Sequence, residues 1–320
     1  MGRALIALLL LLTGAVAQAQ QYPSSPVRVL VGYAAGGAPD IQARTIAQQL
    51  AIHFNQSFYI ENKTGANGTI AARTVATSPP DGLTLLFSSS SIAPTPHIYK
   101  NLGYDTLTDL RAIATSGILD GMLMLVDAKS PIKTVPEFIK HAKENRVLYG
   151  SPGVGNILHL ATEAFSIKAG IKMEHVPYKS SPEVITALLG GSIQVMFVTP
   201  PAALGLVKEG RVRALAFTGT KPFPELPDVP LMTDLLPGYQ PIGSWGMLFA
   251  PGKTPDAIAD KLNGAVREAL QVPSVVTVMQ RDGYVPDNRS AAAVAEAQRE
   301  EAAPAAQLLA QRRRQVGDLV

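Results

Sequence analysis

The chain of 320 residues contains no cysteine. That absence removes disulfides, thiolate nucleophiles, zinc–thiolate centres and iron–sulfur clusters together. It also removes the acylated cysteine on which a lipoprotein anchor depends. Charge is sparse: only 17% of residues are Asp, Glu, Lys or Arg, and the formal net charge is +3. So small an excess leaves no nucleic-acid footprint. There is no Walker loop, no H-E-x-x-H and no G-x-S-x-G. His53, His97, His141, His159 and His175 show no close metal spacing. Beyond the first residues no apolar run approaches the roughly 20 needed to span a bilayer. What the chain has in quantity is hydrophobic residues, at 47%, enough for a sizeable core and incompatible with disorder.

The first residues read as an export signal rather than as part of the fold. Arg3 gives a positive start, Ala4 to Leu12 is unbroken and apolar, and Ala17-Gln18-Ala19 is a small-residue cleavage site. Cleavage after Ala19 would leave a mature chain of 301 residues, soluble and exported. Residues 1–19 are therefore assigned to a signal peptide, and a length near 300 fits about two domains.

The rest alternates strand and helix patterns. Val27 to Val31 reads as a strand, broken by Gly36-Gly37. Ala43, Ile46, Ala47, Leu50, Ala51 and Phe54 then recur at helical spacing. Pro39 suits a first helical turn, where its missing N–H costs nothing. Strands follow at 58–60 and 83–87, with a short helix at 68–77 between them. From Gly121 the pattern gives strands at 121–126, 147–149, 173–176, 193–198 and 212–218. They are separated by helices at 134–144, 156–169, 182–189 and 201–208. Such alternation predicts largely parallel sheets covered by helices. Six prolines lie between Lys221 and Pro241 and mark a surface connection or a crossing. A strand at 245–249, helices at 255–270 and 273–282, and an Ala-, Gln- and Arg-rich helical stretch at 290–316 complete the chain.

Three strand-to-helix loops are rich in Gly and Ser: Tyr33 to Asp40, Ser88 to Ser91, and Ser151 to Asn156. Each follows a strand, and open α/β sheets bind ligands at the carboxyl ends of their strands. Glycines admit a ligand to the backbone, and N–H groups at a helix start attract a carboxylate or phosphate. Gly153-Val154-Gly155-Asn156 lacks the third glycine of a dinucleotide fingerprint, so it reads as an anion-binding helix start. No nucleophile–base pair and no metal set is visible.

Val31-Gly32-Tyr33-Ala34-Ala35-Gly36-Gly37-Ala38-Pro39-Asp40 resembles the opening signature of the tripartite tricarboxylate transporter substrate-binding proteins, the Bug-type receptors. Glu61 to Gly68, Pro80 to Leu86, His175 to Lys179, Leu189 to Phe197, Leu226 to Pro230 and Trp245 to Pro251 resemble further signatures of that family, in order. The resemblance covers essentially the whole mature chain. It implies a type II periplasmic-binding-protein-like α/β fold: two lobes joined by two crossover strands, with a cleft between them. Lobe 1 would comprise residues 20–122 and 229–320, and lobe 2 residues 123–228, with the Pro-rich segment at the return crossing. The cleft would hold a small organic acid through Tyr33, Ala35, Gly36, Gly37, Asp40, Ser88, Ser89, Ser90, Ser151, Gly153, Gly155, Asn156, Tyr178, Phe197 and Thr199.

Three positions depart from the family pattern: Pro39 where threonine is frequent, Val198 where aspartate is frequent, and Ser180 where glycine is usual. The missing carboxylate at Val198 implies a plain or aromatic acid rather than one with an amino group. The expectation is thus a monomeric periplasmic receptor without cofactor or metal. It delivers its acid to membrane transporter subunits and contacts no nucleic acid. A ligand-sensing adaptor for a membrane signalling protein, or an enzyme on the same fold, are the alternatives. Genome neighbours and turnover of candidate acids separate them.

Overall fold

The computed structural model describes residues 22–99 and 101–300. The signal peptide and the end of the C-terminal helical stretch lie outside these residues; 291–300 are helical.

Two sheets organise the chain. The first has six strands in the order β11-β4-β10-β3-β1-β2. Its members are β1 (Val27–Val31), β2 (Phe58–Asn62), β3 (Thr84–Ser89), β4 (Leu110–Leu119), β10 (Ser244–Pro251) and β11 (Tyr284–Pro286). The second has five strands in the order β7-β6-β8-β5-β9. These are β5 (Leu123–Asp127), β6 (Leu148–Ser151), β7 (Glu174–Pro177), β8 (Val195–Val198) and β9 (Val212–Phe217).

Side-chain alternation builds a core on both faces of each sheet. In β1, Val27, Val29 and Val31 pack on one face with helix α1 (Ala38–Phe54), while Leu30 packs on the other. In β8, Val195 and Phe197 face one core of the second sheet and Met196 and Val198 the other. This is the period of two that a strand buried on both faces must show.

The expectation of largely parallel sheets is corrected to mixed ones. β1 runs parallel to β2 and β3, and β6 parallel to β7 and β8. β10 is antiparallel to β3 and β4, and β5 antiparallel to β8 and β9. The reason is topological. β5 and β10 are the strands entered directly after a passage from the other sheet, so they come in from the opposite end.

The Pro-rich segment does not form the return crossing. Phe223 packs into one core of the second sheet with Leu226, Val229 and Leu231 against it, and Met232 and Tyr239 are buried in the other. The segment is a strap around lobe 2, and the chain regains the first sheet only at Gly243-Ser244. Where the passages meet, backbones touch. A Cβ on Gly121 would lie 2.5 Å from the Gly219 Cα, and one on Gly243 would lie 2.7 Å from the Leu119 carbonyl oxygen. Met122 donates its N–H to the Thr218 hydroxyl at 2.8 Å, and Thr220 donates its N–H to the Asp120 carboxylate at 2.6 Å.

Candidate ligand-binding cleft

A cleft with about 600 Å³ of space between atoms, partly open to solvent, lies between the two sheets. Four helices present their N-termini to it. From lobe 1 comes α1, through Gly37, Ala38 and Pro39. From lobe 2 come α5 (Ile157–Ala169), α6 (Ser181–Leu189) and α7 (Pro200–Lys208), through Asn156 to Leu158, Ser180-Ser181 and Thr199. Each N-terminus carries about half a positive elementary charge. Among the described lining residues Lys179 alone is charged, and none is acidic.

The four ends are not equivalent. No side chain caps α1 at Gly37; Pro39 has no N–H and the Gly37 N–H goes to the Ala34 carbonyl at 3.3 Å, which leaves the Ala38 and Asp40 N–H groups. α7 opens on Pro200-Pro201 behind Thr199, also uncapped by a side chain, and so contributes its dipole and the threonine hydroxyl. At α6 the Ser180 hydroxyl accepts the Glu183 N–H at 3.4 Å, and Lys179 donates its N–H to the Glu183 carboxylate at 3.0 Å. At α5 the Asn156 side chain accepts the Leu158 N–H at 3.0 Å, while the Ile157 N–H reaches across the cleft to Ser91 Oγ at 3.0 Å. The Gly153 and Gly155 N–H groups go to Ser151 Oγ at 3.3 Å and His159 Nδ1 at 3.0 Å. The Gly-rich loop expected to cradle an anion has thus committed these donors within the protein.

Five expected site residues line the cleft: Tyr33, Gly37, Ser89, Asn156 and Thr199. The Tyr33 phenol accepts the Ser89 hydroxyl at 3.1 Å. Burial raises its pKa, and the hydroxyls of Ser89, Ser88 and Ser91 pull it back in part, so it stays a neutral phenol. Ser88 is buried on β3 under this group.

The others lie elsewhere. Ala35 and Gly36 are exposed on the loop's outer side. Asp40 is buried behind the loop, where it accepts from the Gly36 N–H at 2.9 Å, Arg44 Nε at 2.9 Å and Asn62 Nδ2 at 2.8 Å. Burial opposes its ionisation, yet Arg44, Gly36 and Asn62 together hold the pKa below the usual carboxylate range. It is a clamp for the loop. Ser90 Oγ lies 3.0 Å from Ser244 Oγ, with both residues buried. Ser151, Gly153 and Gly155 form the base of their loop, and Tyr178 packs against lobe 2's core near Gly150. Phe197 is fully buried, its ring 5.7 Å from that of Phe165. Val198 is fully buried too. A valine facing the core cannot choose between amino and plain acids. Any such exclusion follows from the lack of acidic side chains among the described lining residues.

The sequence pattern missed Gln42, Lys179, Ser244, Gly246 and Tyr284, all of which line the cleft with Trp245. The capping pattern Ser180-x-x-Glu183 was the available signal for the α6 end. For Tyr284, on a three-residue strand, there was none.

One pair is brought together that spacing did not reveal: Ser151 Oγ lies 2.7 Å from His175 Nε2. Ser151 is fully buried and also bonds the Gly153 carbonyl at 3.0 Å, so the hydroxyl braces its own loop. His175 stacks on His159 at 4.1 Å between centroids. His159 in turn lies one helical turn before Glu163, whose carboxylate accepts the Tyr149 hydroxyl. No group of three or more metal-ligating side chains occurs among the described residues. None of their helices is long and apolar enough to cross a membrane.

The family model for the tripartite tricarboxylate transporter family receptor matches residues 42–313. The chain belongs to this family. A Cupriavidus necator member, the UPF0065 protein in the gbd 5′ region, is 36% identical over 263 residues, covering 81% of this chain and 79% of its own. Among solved structures, R. palustris Rpa4515 with adipate is similar at a TM-score of 0.86 and 30% identity, over 91% of this chain and 98% of that one. MatC from Rhodopseudomonas palustris, with bound malate, gives 0.83 and 29%, over 90% and 99%. The two-sheet α/β architecture is a periplasmic-binding-protein-like fold, similar to that of the periplasmic binding protein BugD at a TM-score of 0.85 and 28% identity, over 91% of this chain and 98% of that one.

Proposed function

We propose that this protein is a periplasmic receptor that captures a small organic carboxylate by closing its lobes and delivers it to the membrane subunits of a tripartite tricarboxylate-type transporter. The observation that carries this reading is the convergence of four helix N-termini on one cleft whose described lining has no acidic side chain. A carboxylate there gains from dipoles of both lobes at once, so it favours the closed arrangement over an open one. The adipate- and malate-bound relatives support the same ligand class.

Within the reading, Tyr33, Gly37, Ser89, Asn156 and Thr199 contact the ligand, while Asp40, Ser90 and Ser151 hold the loops. The protein works as a receptor rather than as a catalyst: the hydrogen-bonded Ser151–His175 pair is not among the described residues that line the cleft, and its serine is fully buried. Lobe 1 ends at Asp120 and resumes at Gly243, and lobe 2 lies between. Export removes residues 1–19, and the mature monomer begins at Gln20.

Mass spectrometry of small molecules released from the purified protein, followed by calorimetry with the acid found, tests the ligand class. Recovery of an organic acid that binds again stoichiometrically is expected. Selective binding of a cation or an uncharged solute overturns the proposal. N-terminal sequencing of the periplasmic form tests the processing, and a retained Met1 overturns that part.

A further inference from the structure

The lobe 1 wall of the cleft contains a polar chain that anion capture at the helix ends does not use. It begins at a β-bulge. Gly246 of β10 pairs with Gly117 of β4, and the next residue, Met247, pairs with Thr115. Ser116 is therefore the extra residue, and bulges re-aim a side chain. Its hydroxyl, almost fully buried, donates to Gln42 Oε1 at 2.6 Å and lies 3.1 Å from the Gly246 carbonyl. A separation of 2.6 Å suits O–H···O and is too short for N–H···O. The carbonyl end of the Gln42 amide is thus the end facing Ser116.

With its oxygen engaged, Gln42 has only its amide hydrogens to turn toward the phenol of Tyr284, whose pKa it pulls down in part. Facing hydrogens on that side, the Tyr284 O–H has the cleft that both residues line to turn to. Burial, first, and the nearby Asp282 carboxylate raise the phenol's pKa, so this proton stays in place at physiological pH. Gly246 makes the arrangement possible, since a Cβ there would overlap Gln42 Oε1 and come within 2.7 Å of Ser116 Oγ.

Resting on the receptor reading above, we infer that Tyr284 is a specificity-determining residue that presents a hydrogen-bond donor to the ligand's second functional group. Gln42 lies four residues beyond Ala38, about one helical turn or roughly 5–6 Å along the axis from the α1 end, and Tyr284 lines the same cleft. A ligand held by its carboxylate at that end meets Tyr284 with its other end. A carboxylate or ester carbonyl there accepts the phenolic hydrogen. An ammonium group finds no acceptor among the described lining side chains that carries a negative charge, and a methyl group leaves the donor unpaired.

The test is calorimetry with two matched series: adipate, its monomethyl ester, ω-aminohexanoate and hexanoate; and succinate, its monomethyl ester, ω-aminobutyrate and butyrate. Wild type should bind the acceptor-ended acids about ten-fold more tightly than the methyl-ended acid of the same series, the scale of one buried hydrogen bond. The amine-ended acids should be weakest. In Tyr284→Phe, which keeps the ring, the ratio of ester to methyl-ended affinity should collapse toward one. Ser116→Ala, which frees the Gln42 amide to turn, should lower the same ratio without altering a ligand contact. Equal weakening of all acids by Tyr284→Phe, with the ratio kept, overturns the inference and leaves a structural role. Binding without end-group discrimination in wild type also overturns the inference but spares the receptor. Binding of no acid in either series overturns the receptor reading itself, and this inference with it.

Discussion

Ser91 Oγ, on lobe 1, accepts the backbone N–H of Ile157, the first residue of α5 on lobe 2, at 3.0 Å. An orphan donor of a helix start is thereby satisfied from the opposite lobe. Around it the Asn156 side chain donates to Asn67 Oδ1 at 3.3 Å, and the Tyr99 hydroxyl donates to the Val154 carbonyl at 3.3 Å. Together they form a latch along one margin of the cleft.

Ser91→Ala should weaken ligand affinity by about three- to ten-fold, the value of one hydrogen bond made only when the lobes meet. The melting temperature without ligand should change little. Calorimetry beside thermal unfolding checks it. Unchanged affinity means that the bond does not contribute to closure.

Gly37→Val should abolish binding while the fold persists. Gly37 has φ −74° and ψ 161°, open to any residue, so the effect is one of space rather than backbone strain. The positive φ of this loop belongs to Gly36, at 79°. A Cβ at Gly37 already meets the Ala34 carbonyl oxygen at 3.3 Å, and the branched side chain beyond it enters the cleft above the α1 end. Calorimetry and circular dichroism on the variant decide the outcome.

Trp245 should report closure. It is the chain's one tryptophan, 5% exposed, lining the cleft while packed in the core with Phe249. Emission should change saturably with acid concentration as lobe 2 approaches. Heat of binding with no spectral change would assign the indole to the static core.

Asp40→Asn should destabilise the wild-type fold by about 1–3 kcal/mol, since a buried carboxylate with three donors is replaced by a neutral amide. The folded-state pKa of Asp40 is depressed, so the unfolded chain takes up its proton first. The stabilisation is therefore complete above the unfolded carboxylate pKa, about 3.9, and is lost as pH falls through the lower folded value. Thermal unfolding of both proteins from neutral pH to pH 3 should show the gap closing only at the acid end.

The alternation of strands and helices was legible because buried strands and amphipathic helices write their periods into the chain. β4 was not. Its sequence Leu110-Arg-Ala-Ile-Ala-Thr-Ser-Gly-Ile-Leu119 is diluted by small residues, and its place between β10 and β11 is fixed by partners more than 120 residues away. The cleft was half legible. Loops rich in Gly and Ser announce where backbone is accessible, and Tyr33, Gly37, Ser89 and Asn156 from them, with Thr199 from the family resemblance, line the cleft. Those loops do not announce which N–H groups are already spent, so the Ser151 to Asn156 loop was over-read. Phe197 came with Thr199 from the family resemblance, but it lies within β8 and is fully buried in the core of lobe 2, its ring against Phe165. Gln42 and Tyr284 meet only through the bulge at Ser116, and no local pattern encodes that meeting.

Gly243 and Leu119 stand where the chain regains and leaves the first sheet, and a Cβ on Gly243 would meet the Leu119 carbonyl oxygen at 2.7 Å. A lobe 2 that turns about this point, as about a pin, sweeps an arc whose span grows with distance from it. A methyl group at Gly243 would then be a shim. It would reset the resting angle of the jaws and every distance across them, and so tune ligand capture from a place no ligand reaches.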